Sequence, residues 1–234
     1  MRLALLLVLL LAWPAVATAA AENELSPAER EAGWQLLFDG KTTAGWMSPK
    51  GKPLPQSHVQ DGALNPHPCD YMLVYEKALG DYELELEFKI SPKCNSGIFV
   101  RTFPLEPRPG KDVGFNGLEI AIDDTTTAGF HDTGAIYDLV APRANRMKPA
   151  GEWNRARIVS RGPRLEVSIN GEQVSAIDLD RWTEPLRRPD GTMHKFDVAY
   201  RDHPRKGHVG LQDHGSDCWY RNIKLRPLAP AQGE

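Results

Sequence analysis

The nine residues Tyr82-Glu83-Leu84-Glu85-Leu86-Glu87-Phe88-Lys89-Ile90 alternate strictly between apolar and charged side chains. A period of two residues places the apolar side chains on one face of a β-strand and the charged side chains on the other. Strands with one buried and one solvated face are typical of antiparallel sheets. We therefore interpret the row of glutamates as a solvated outer face, and the apolar row as half of a core.

Similar short segments recur along the chain between turn signals. The dipeptides Asp39-Gly40, Asp61-Gly62 and Asn170-Gly171 predict tight turns, and the last of them predicts a type I′ hairpin. After Ala32 no segment shows ten or more residues of helical periodicity. The pattern predicts an all-β fold, either an antiparallel sandwich or a jelly roll. Further strands are predicted at residues 34–38, 59–64, 97–101, 117–122, 135–139, 153–160, 165–169, 173–177, 209–212 and 219–225.

The start of the chain has the features of a secretory signal peptide. One charged residue, Arg2, precedes an apolar run and then the small residues Ala17-Thr18-Ala19. The run is shorter than the ~20 residues that a membrane-spanning helix needs. Removal of residues 1–21 would leave a periplasmic or secreted chain. We expect a short helix and linker over 22–32, begun by the capping box Ser26-Pro27-Ala28-Glu29. One β-domain follows over 33–228, with a tail at 229–234.

Charge and cysteine content narrow the function classes. The chain of 234 residues carries 28 Lys+Arg against 31 Asp+Glu and has no long basic run, so nucleic acid is not an expected partner. Export permits disulfides, but an odd count leaves at least one of Cys69, Cys94 and Cys218 unpaired. Which pair would form a bridge stays open. The chain has no C-x-x-C spacing, which argues against a structural zinc site.

The C-terminal stretch Gly210-Leu211-Gln212-Asp213-His214-Gly215 carries more polar chemistry than a packed core requires. Gln212, Asp213 and His214 lie on what reads as a strand and turn, and the next strand carries Arg221. Strand parity places Arg221 on the same face as the apolar Ile223. This placement indicates either a buried ion pair with a carboxylate such as Glu119 or a contact with a ligand.

Two carboxylates share one face of the predicted strand at 117–122 and its continuation. Glu119 and Asp123 are separated by ~13 Å, at ~3.3 Å of rise per residue. Retaining and inverting glycosidases hold their two carboxyl groups about 5–9.5 Å apart. These two residues therefore do not form a standard glycosidase pair by themselves.

Eight short segments occur in a fixed order along the chain after Gly33. They are Leu37-Phe38-Asp39-Gly40-Lys41-Thr42 with Gly45-Trp46, Ser96-Gly97-Ile98 with Arg101, Gly117-Leu118-Glu119, Thr133-Gly134-Ala135-Ile136-Tyr137, Gly151-Glu152-Trp153-Asn154, Asn170-Gly171, Gln212-Asp213-His214-Gly215 and Arg221-Asn222-Ile223. Together these segments resemble the 3-keto-disaccharide hydrolase family. That resemblance implies a concanavalin A-like jelly-roll sandwich of two antiparallel sheets, and cleavage of glycosides already oxidised to the ketone at sugar carbon 3. One position departs from the family pattern, since Ala121 stands where glutamine is common.

The chemistry implied by this resemblance is base-assisted elimination followed by hydration. The base would be His214 or a carboxylate with a raised pKa, and Glu119 is also counted among the expected catalytic residues. Arg101, Arg221 or a divalent metal ion held by Glu119 and His214 would stabilise the enolate oxygen. The expected substrate contacts are Gln212, Asp123, Tyr137, Trp153 and Asn154.

Two other classes of function remain open from the sequence. The first is a carbohydrate-binding β-sandwich without catalysis, which the substitution at Ala121 favours. The second is an interaction module within a larger envelope complex. For the enzyme, the expected partner is a small carbohydrate, with no membrane anchor after signal cleavage.

Overall fold

The computed structural model describes residues 21–102 and 117–229. The predicted signal peptide, except Ala21, and the predicted tail, except Ala229, lie outside the described residues. Among the described residues no helix is both long and apolar enough to cross a membrane.

Within the described ranges the chain forms one α-helix, three short 3₁₀ helices and thirteen strands, in two antiparallel sheets. The helix is α1 (Pro27–Glu31), and the 3₁₀ helices span Gln56–His58, Leu179–Arg181 and Tyr200–Asp202. The strands are β1 (Gln35–Leu36), β2 (Trp46–Met47), β3 (Val59–Gln60), β4 (Ala63–Leu64), β5 (Met72–Tyr75), β6 (Tyr82–Ile90), β7 (Asn95–Thr102), β8 (Leu118–Asp123), β9 (Asn154–Arg161), β10 (Arg164–Ile169), β11 (Glu172–Asp178), β12 (His208–Gln212) and β13 (Cys218–Pro227).

The two sheets enclose one main core. The larger has the strand order β11-β10-β9-β6-β13-β4-β3, with β1 also paired to β13. The smaller has the order β2-β5-β12-β7-β8. Apolar side chains from both sheets pack into a single cluster between them, which includes Leu84 and Phe88 of β6 and Ile98 and Ile120 of the smaller sheet. The predicted fold class, an all-β sandwich of two antiparallel sheets, is confirmed.

Several local predictions are confirmed by the backbone. All five apolar residues of β6 are buried, at no more than 1% exposed. The hairpin between β10 and β11 turns at Asn170 and Gly171, whose φ angles of 51° and 86° fit a type I′ turn. At the start of α1, the Ser26 side chain accepts a hydrogen bond from the Glu29 backbone, and Ser26 N–H donates to the Glu29 carboxylate, which completes the capping box.

One predicted strand is wrong, and two strands, β2 and β5, were missed. Residues 135–139 form turns with isolated bridges at Ile136. β2 has only two residues, and β5 is buried at every position because it packs on both faces. β5 therefore has no alternation of polar and apolar side chains for a pattern to detect.

A β-bulge in β7 turns the Arg101 side chain into the core, away from the site where it was expected to stabilise an enolate oxygen. The register of β7 against β12 shifts between His208 and Gly210, and Arg101 has a φ of 51°. Because a bulge inserts an extra residue, the alternation reverses beyond it. The Arg101 side chain therefore points between the sheets, where its Nε donates to Ser160 Oγ at 2.8 Å and its Nη2 donates to the Gly162 carbonyl at 2.7 Å.

A second bulge does the same in β13. The register against β6 shifts between Arg221 and Lys224, and Asn222 has a φ of 52°. As a result Ile223 faces the core and Arg221 faces outward, so the shared face expected for these two residues is wrong. The Asn222 amide oxygen accepts from Asn23 N–H at 2.6 Å, and Asn222 N–H donates to Asn23 Oδ1 at 2.8 Å.

Arg101 should therefore contribute to stability rather than to catalysis. Arg101→Met would leave the buried Gly162 carbonyl without a donor, and we expect a loss of about 3 kcal/mol in the free energy of unfolding. Arg155→Met is the control, because that arginine pairs with Glu85 on the exposed surface and should cost under about 1 kcal/mol. Urea unfolding measures both, and equal losses in the two variants would contradict this assignment.

Candidate functional site

The outer face of the smaller sheet collects the polar residues that the sequence singled out. β7 and β8 pair so that Phe99 lies opposite Glu119, and Asn95 lies opposite Asp123. β12 lies on the other side of β7 and ends at Gln212. Glu119 and Asp123 point away from the core, because Leu118, Ile120 and Ile122 between and beside them pack into it.

Two glycines leave space on this face. A Cβ on Gly97 would lie 2.8 Å from the Cγ of Glu119, and one on Gly210 would lie 2.7 Å from the sulfur of Met72. Real side chains essentially never approach so closely, so both positions exclude any larger residue unless neighbours move. The Glu119 side chain therefore lies across the backbone of β7, over Gly97.

Glu119 is the most perturbed carboxyl group of this face. Burial raises its pKa from 4.5 to about 8, and the opposing effect of the Lys195 charge is smaller. Its side chain is only partly exposed, and no described residue donates a hydrogen bond to it. A carboxyl group with a pKa near neutrality and no partner can hold or release a proton at physiological pH.

Gln212 presents an unsatisfied amide next to this carboxyl group. Its side chain is 4% exposed, and its Oε1 has no hydrogen-bond partner among the described residues. Its backbone carbonyl accepts from Ser96 Oγ at 2.7 Å, which holds the end of β12 against β7. A buried amide oxygen without a donor is costly, and a ligand hydroxyl would satisfy it.

One edge of the face is formed by a small cationic and aromatic group. Tyr137 N–H donates to the Glu119 carbonyl at 2.9 Å, which attaches Tyr137 to β8. The Lys195 ammonium lies 4.3 Å from the centre of the Tyr137 ring, and the His131 ring stacks on that ring at 4.6 Å. The Lys195 backbone is held by Asp138, which accepts from its N–H at 2.8 Å. Sequence reasoning missed Lys195, because it lies in a loop with no periodic or motif signal.

The other end of the face contains Asp123 and His214. Burial and the charge of Asp132 raise the pKa of Asp123, while the charge of His214 acts in the opposite direction. His214 is exposed on the turn after β12. Asp213 shapes that turn, accepting from Cys69 N–H at 2.7 Å and from Gly215 N–H at 2.8 Å. The structure thus brings His214 to the end of the face occupied by Asp123.

Arg221 and Trp153 lie on the opposite side of the sandwich. Arg221 donates to the Glu87 carboxylate at 2.8 Å and also pairs with Glu22. Its guanidinium lies 3.9 Å from the centre of the Trp153 ring, on the outer face of the larger sheet. The predicted meeting of Arg221 with Glu119 is therefore wrong, because the bulge at Asn222 sends Arg221 outward from the other sheet.

Arg101 and Asn154 are internal residues. Arg101 is fully buried between the sheets, as described above. Asn154 is 1% exposed at the start of β9, where its amide oxygen accepts from Lys148 N–H at 2.7 Å and from the Asn170 side chain at 2.8 Å. Both side chains satisfy backbone or buried polar groups, so neither lies on the face that carries Glu119.

The residues suggested for a metal site do not form one in the described part of the chain. No group of three or more His, Cys, Asp or Glu side chains there is arranged to hold a metal ion. Glu119 and His214 lie towards opposite ends of the face, so they do not supply the converging donors that a divalent cation takes.

An all-β sandwich that presents carboxyl, amide and aromatic groups on one outer face is an architecture used by many carbohydrate-recognising proteins. The chain belongs to the 3-keto-alpha-glucoside-1,2-lyase-like domain family, whose model matches residues 33–226.

One relative and two solved structures show how similar this chain is to known proteins. A 3-keto-disaccharide hydrolase of Bacteroides thetaiotaomicron is 26% identical over 228 residues, which cover 84% of this chain and 79% of the relative. A crystal structure of a candidate glycosyl hydrolase from Parabacteroides distasonis ATCC 8503 superimposes with a TM-score of 0.67. It is 29% identical, covering 83% of this chain and 99% of that one. A second structure from the same organism has a TM-score of 0.72 at 23% identity, with 89% and 100% covered, and supports the fold alone.

The raised pKa of Glu119 should appear in the pH dependence of stability. Between pH 4.5 and about 8 the unfolded chain ionises this carboxyl group while the folded protein keeps it protonated, so folding loses stability as pH rises. Glu119→Gln removes this ionisation. The free energy of unfolding of the variant, relative to that of the wild type, should therefore rise by at most about 1.4 kcal/mol for each pH unit in that window. Thermal or urea unfolding at several pH values measures the difference.

The matched control is Glu31→Gln, since Glu31 is exposed. It should keep a constant offset from the wild type across the same pH range. A constant offset for Glu119→Gln as well would show that its carboxyl group titrates normally.

Proposed function

We propose that this protein is an exported enzyme that cleaves 3-keto-glycosides or 3-keto-disaccharides by base-assisted elimination and hydration. The observation that carries the proposal is the desolvated Glu119 carboxyl group over Gly97, to which no residue in the described part of the chain donates a hydrogen bond. Family membership and the name of the Bacteroides relative support the substrate class. Export rests on the signal-peptide pattern of residues 1–21.

The reaction begins at sugar carbon 2, whose hydrogen is acidic because carbon 3 is a ketone. Glu119 in its ionised form takes that proton, and an enolate forms with negative charge on the carbon 3 oxygen. The enolate collapses, the bond from carbon 1 to the glycosidic oxygen breaks, and that oxygen takes up a proton. Water then adds at carbon 1 of the unsaturated ketone and a proton returns to carbon 2. The net result is hydrolysis.

A pKa of about 8 suits Glu119 to both halves of this sequence. A group that removes a proton and later returns it works best when both of its forms are populated near the working pH. The first half alone is a lyase reaction, and both halves together are a hydrolase reaction. The proposed sequence is therefore consistent with the lyase named for the family and the hydrolase named for the relative.

Lys195 takes the place that Arg101 and Arg221 were expected to fill. It is the cation whose charge acts on Glu119, and its ammonium is aligned by contact with Tyr137. We assign it to the negative charge that develops on the enolate oxygen. The amide oxygen of Gln212, which finds no donor within residues 21–102 and 117–229, would accept a hydrogen bond from a sugar hydroxyl.

His214 and Asp123 are placed for the leaving group. Asp123 lies four strand positions from Glu119, or ~13 Å along β8, which is longer than one sugar ring, and His214 lies near Asp123. We assign both residues to the second ring or aglycone, where they would bind the leaving group.

The direct test uses 3-keto-sucrose or a 3-keto aryl glucoside with the purified mature chain. We expect release of the leaving group, and in D₂O one deuterium at carbon 2 of the product beyond the exchange in an enzyme-free sample. Glu119→Gln should lower kcat/KM at least ~100-fold, while Glu31→Gln keeps wild-type activity.

Three other outcomes of these assays would change the proposal. Binding without release of the leaving group would favour the non-catalytic carbohydrate-binding alternative. Release with neither deuterium at carbon 2 nor a primary isotope effect from substrate deuterated at carbon 2 would contradict the elimination route. Loss of activity in a chelator, restored by a divalent cation, would assign a metal to the enolate oxygen in place of Lys195.

The space over Gly97 provides an independent test. Gly97→Ala places a methyl group against the Glu119 side chain, so the carboxyl group must move, and we expect kcat/KM to fall at least ~10-fold. Gly80→Ala is the matched control, because a Cβ there meets no atom within 4 Å. Equal activity in the two variants would show that the carboxyl group does not act from this position.

A further inference from the structure

Cys94 and Cys218 lie close together where β6 ends and where β7 and β13 begin. Cys218 begins β13 and lies opposite Ile90, the last residue of β6. The ladder continues one step further, where Ser91 N–H donates to the Asp217 carbonyl at 3.0 Å. The chain beyond Ser91 therefore starts its turn into β7 directly beside Cys218.

That turn carries Cys94 back towards Cys218. Cys94 N–H donates to the Ser91 carbonyl at 3.2 Å, and Lys93 adopts a left-handed φ of 61°. A turn closed in this way holds its first and fourth residues within about 7 Å. Cys94 and Cys218 are both 0% exposed and belong to the same core cluster. The two side chains are in hydrogen-bond contact, which is the largest of the influences that raise the pKa of the Cys94 thiol.

We propose that Cys94 and Cys218 are joined by a disulfide bond when the protein folds under oxidising conditions. Each cysteine loses its thiol proton and one electron, and one S–S bond forms. The oxidant is a disulfide, of a small molecule or of a protein oxidoreductase, which is reduced to two thiols. This proposal is independent of the catalytic proposal, because neither cysteine lies on the face that carries Glu119.

The bond must form before the core closes. In the folded protein both thiols are sealed from solvent, and the raised pKa of Cys94 suppresses the thiolate that thiol–disulfide exchange requires. During folding both cysteines are accessible, and pairing of β6 with β13 brings them together. Once formed, the bond would be shielded from reductants by the same burial.

Cys69 is the cysteine left unpaired. Its side chain is partly exposed, and burial together with the charges of Asp213 and Asp70 raises its pKa to about 12. Those neighbours are carboxylates, so the groups acting on its thiol do not include a second sulfur atom. The three cysteines of the chain thus comprise one pair in the core and one weakly reactive thiol.

The pairing is tested by refolding the purified chain from denaturant with oxidised and reduced glutathione. Trypsin digestion without reduction should yield the peptide 94–101 linked to the peptide 207–221, and intact mass should fall by about 2 Da. Cys69 should remain available to alkylation after denaturation. A link involving Cys69, or three free thiols after oxidative refolding, would overturn the proposal.

Stability gives a second, independent readout. A bridge from Cys94 to Cys218 closes a loop of roughly 125 residues, so the oxidised wild type should melt about 10 °C above its reduced form. Cys69→Ala should keep this difference between oxidised and reduced samples. Cys218→Ala should lose it, whatever its own effect on stability. If Cys69→Ala loses the difference and Cys218→Ala keeps it, the pairing is wrong.

Discussion

The antiparallel ladder between β6 and β13 is the constraint on which the rest of the structure depends. Its inner face supplies Leu84, Phe88 and Tyr220 to the core, and Tyr220 reaches across to Ser96 of the smaller sheet, with 2.8 Å between the hydroxyl oxygens. Its end brings Cys218 to the turn that leads into β7. The ladder therefore holds the larger sheet together and sets where the smaller sheet begins.

The outer face of that ladder shows how charge is divided in this protein. The glutamates of β6 face basic side chains from β9 and β13. Glu83, for example, pairs with Arg157 and Arg226. Burial raises the pKa of Glu83, but hydrogen bonds from Arg226 and Arg157 outweigh it and leave the pKa below its ordinary value. Glu119, on the outer face of the other sheet, is buried and receives no such hydrogen bond from the residues that the structure describes. The pKa of Glu83 is therefore lowered and the pKa of Glu119 is raised. Burial acts in the same direction on both, so the neighbouring side chains decide the difference.

Much of the fold could be predicted because its signals are local. The alternation of β6, the Asn170-Gly171 turn and the capping box at Ser26 each depend on a few consecutive residues. The missed strand β5 has apolar residues on both faces and so carries no alternation. The predicted strand at 135–139 is apolar enough for a strand, but it pairs only through isolated bridges at Ile136 and turns back on itself.

The candidate site was predicted in part, for reasons that particular residues make clear. Glu119, Asp123, Gln212 and Tyr137 follow from strand parity or motif, and the structure places them on or beside one sheet face. The predictions for Arg101 and Arg221 are wrong because each residue lies at a bulge, and one inserted residue reverses the face to which the following side chains point. Lys195 carries no signal at all, since a loop residue is positioned by contacts with Asp138 and Tyr137 that are distant in sequence.

By itself the sequence determined the all-β class and individual hairpins, because alternation and turn chemistry act between neighbouring residues, and it carried the ordered segments by which the chain resembles its family. The tertiary structure alone decided which arginines face the core, which carboxyl group loses its solvent and which two cysteines touch. Those outcomes depend on bulges, on burial and on contacts between segments that can be more than a hundred residues apart in the sequence. No local pattern records them.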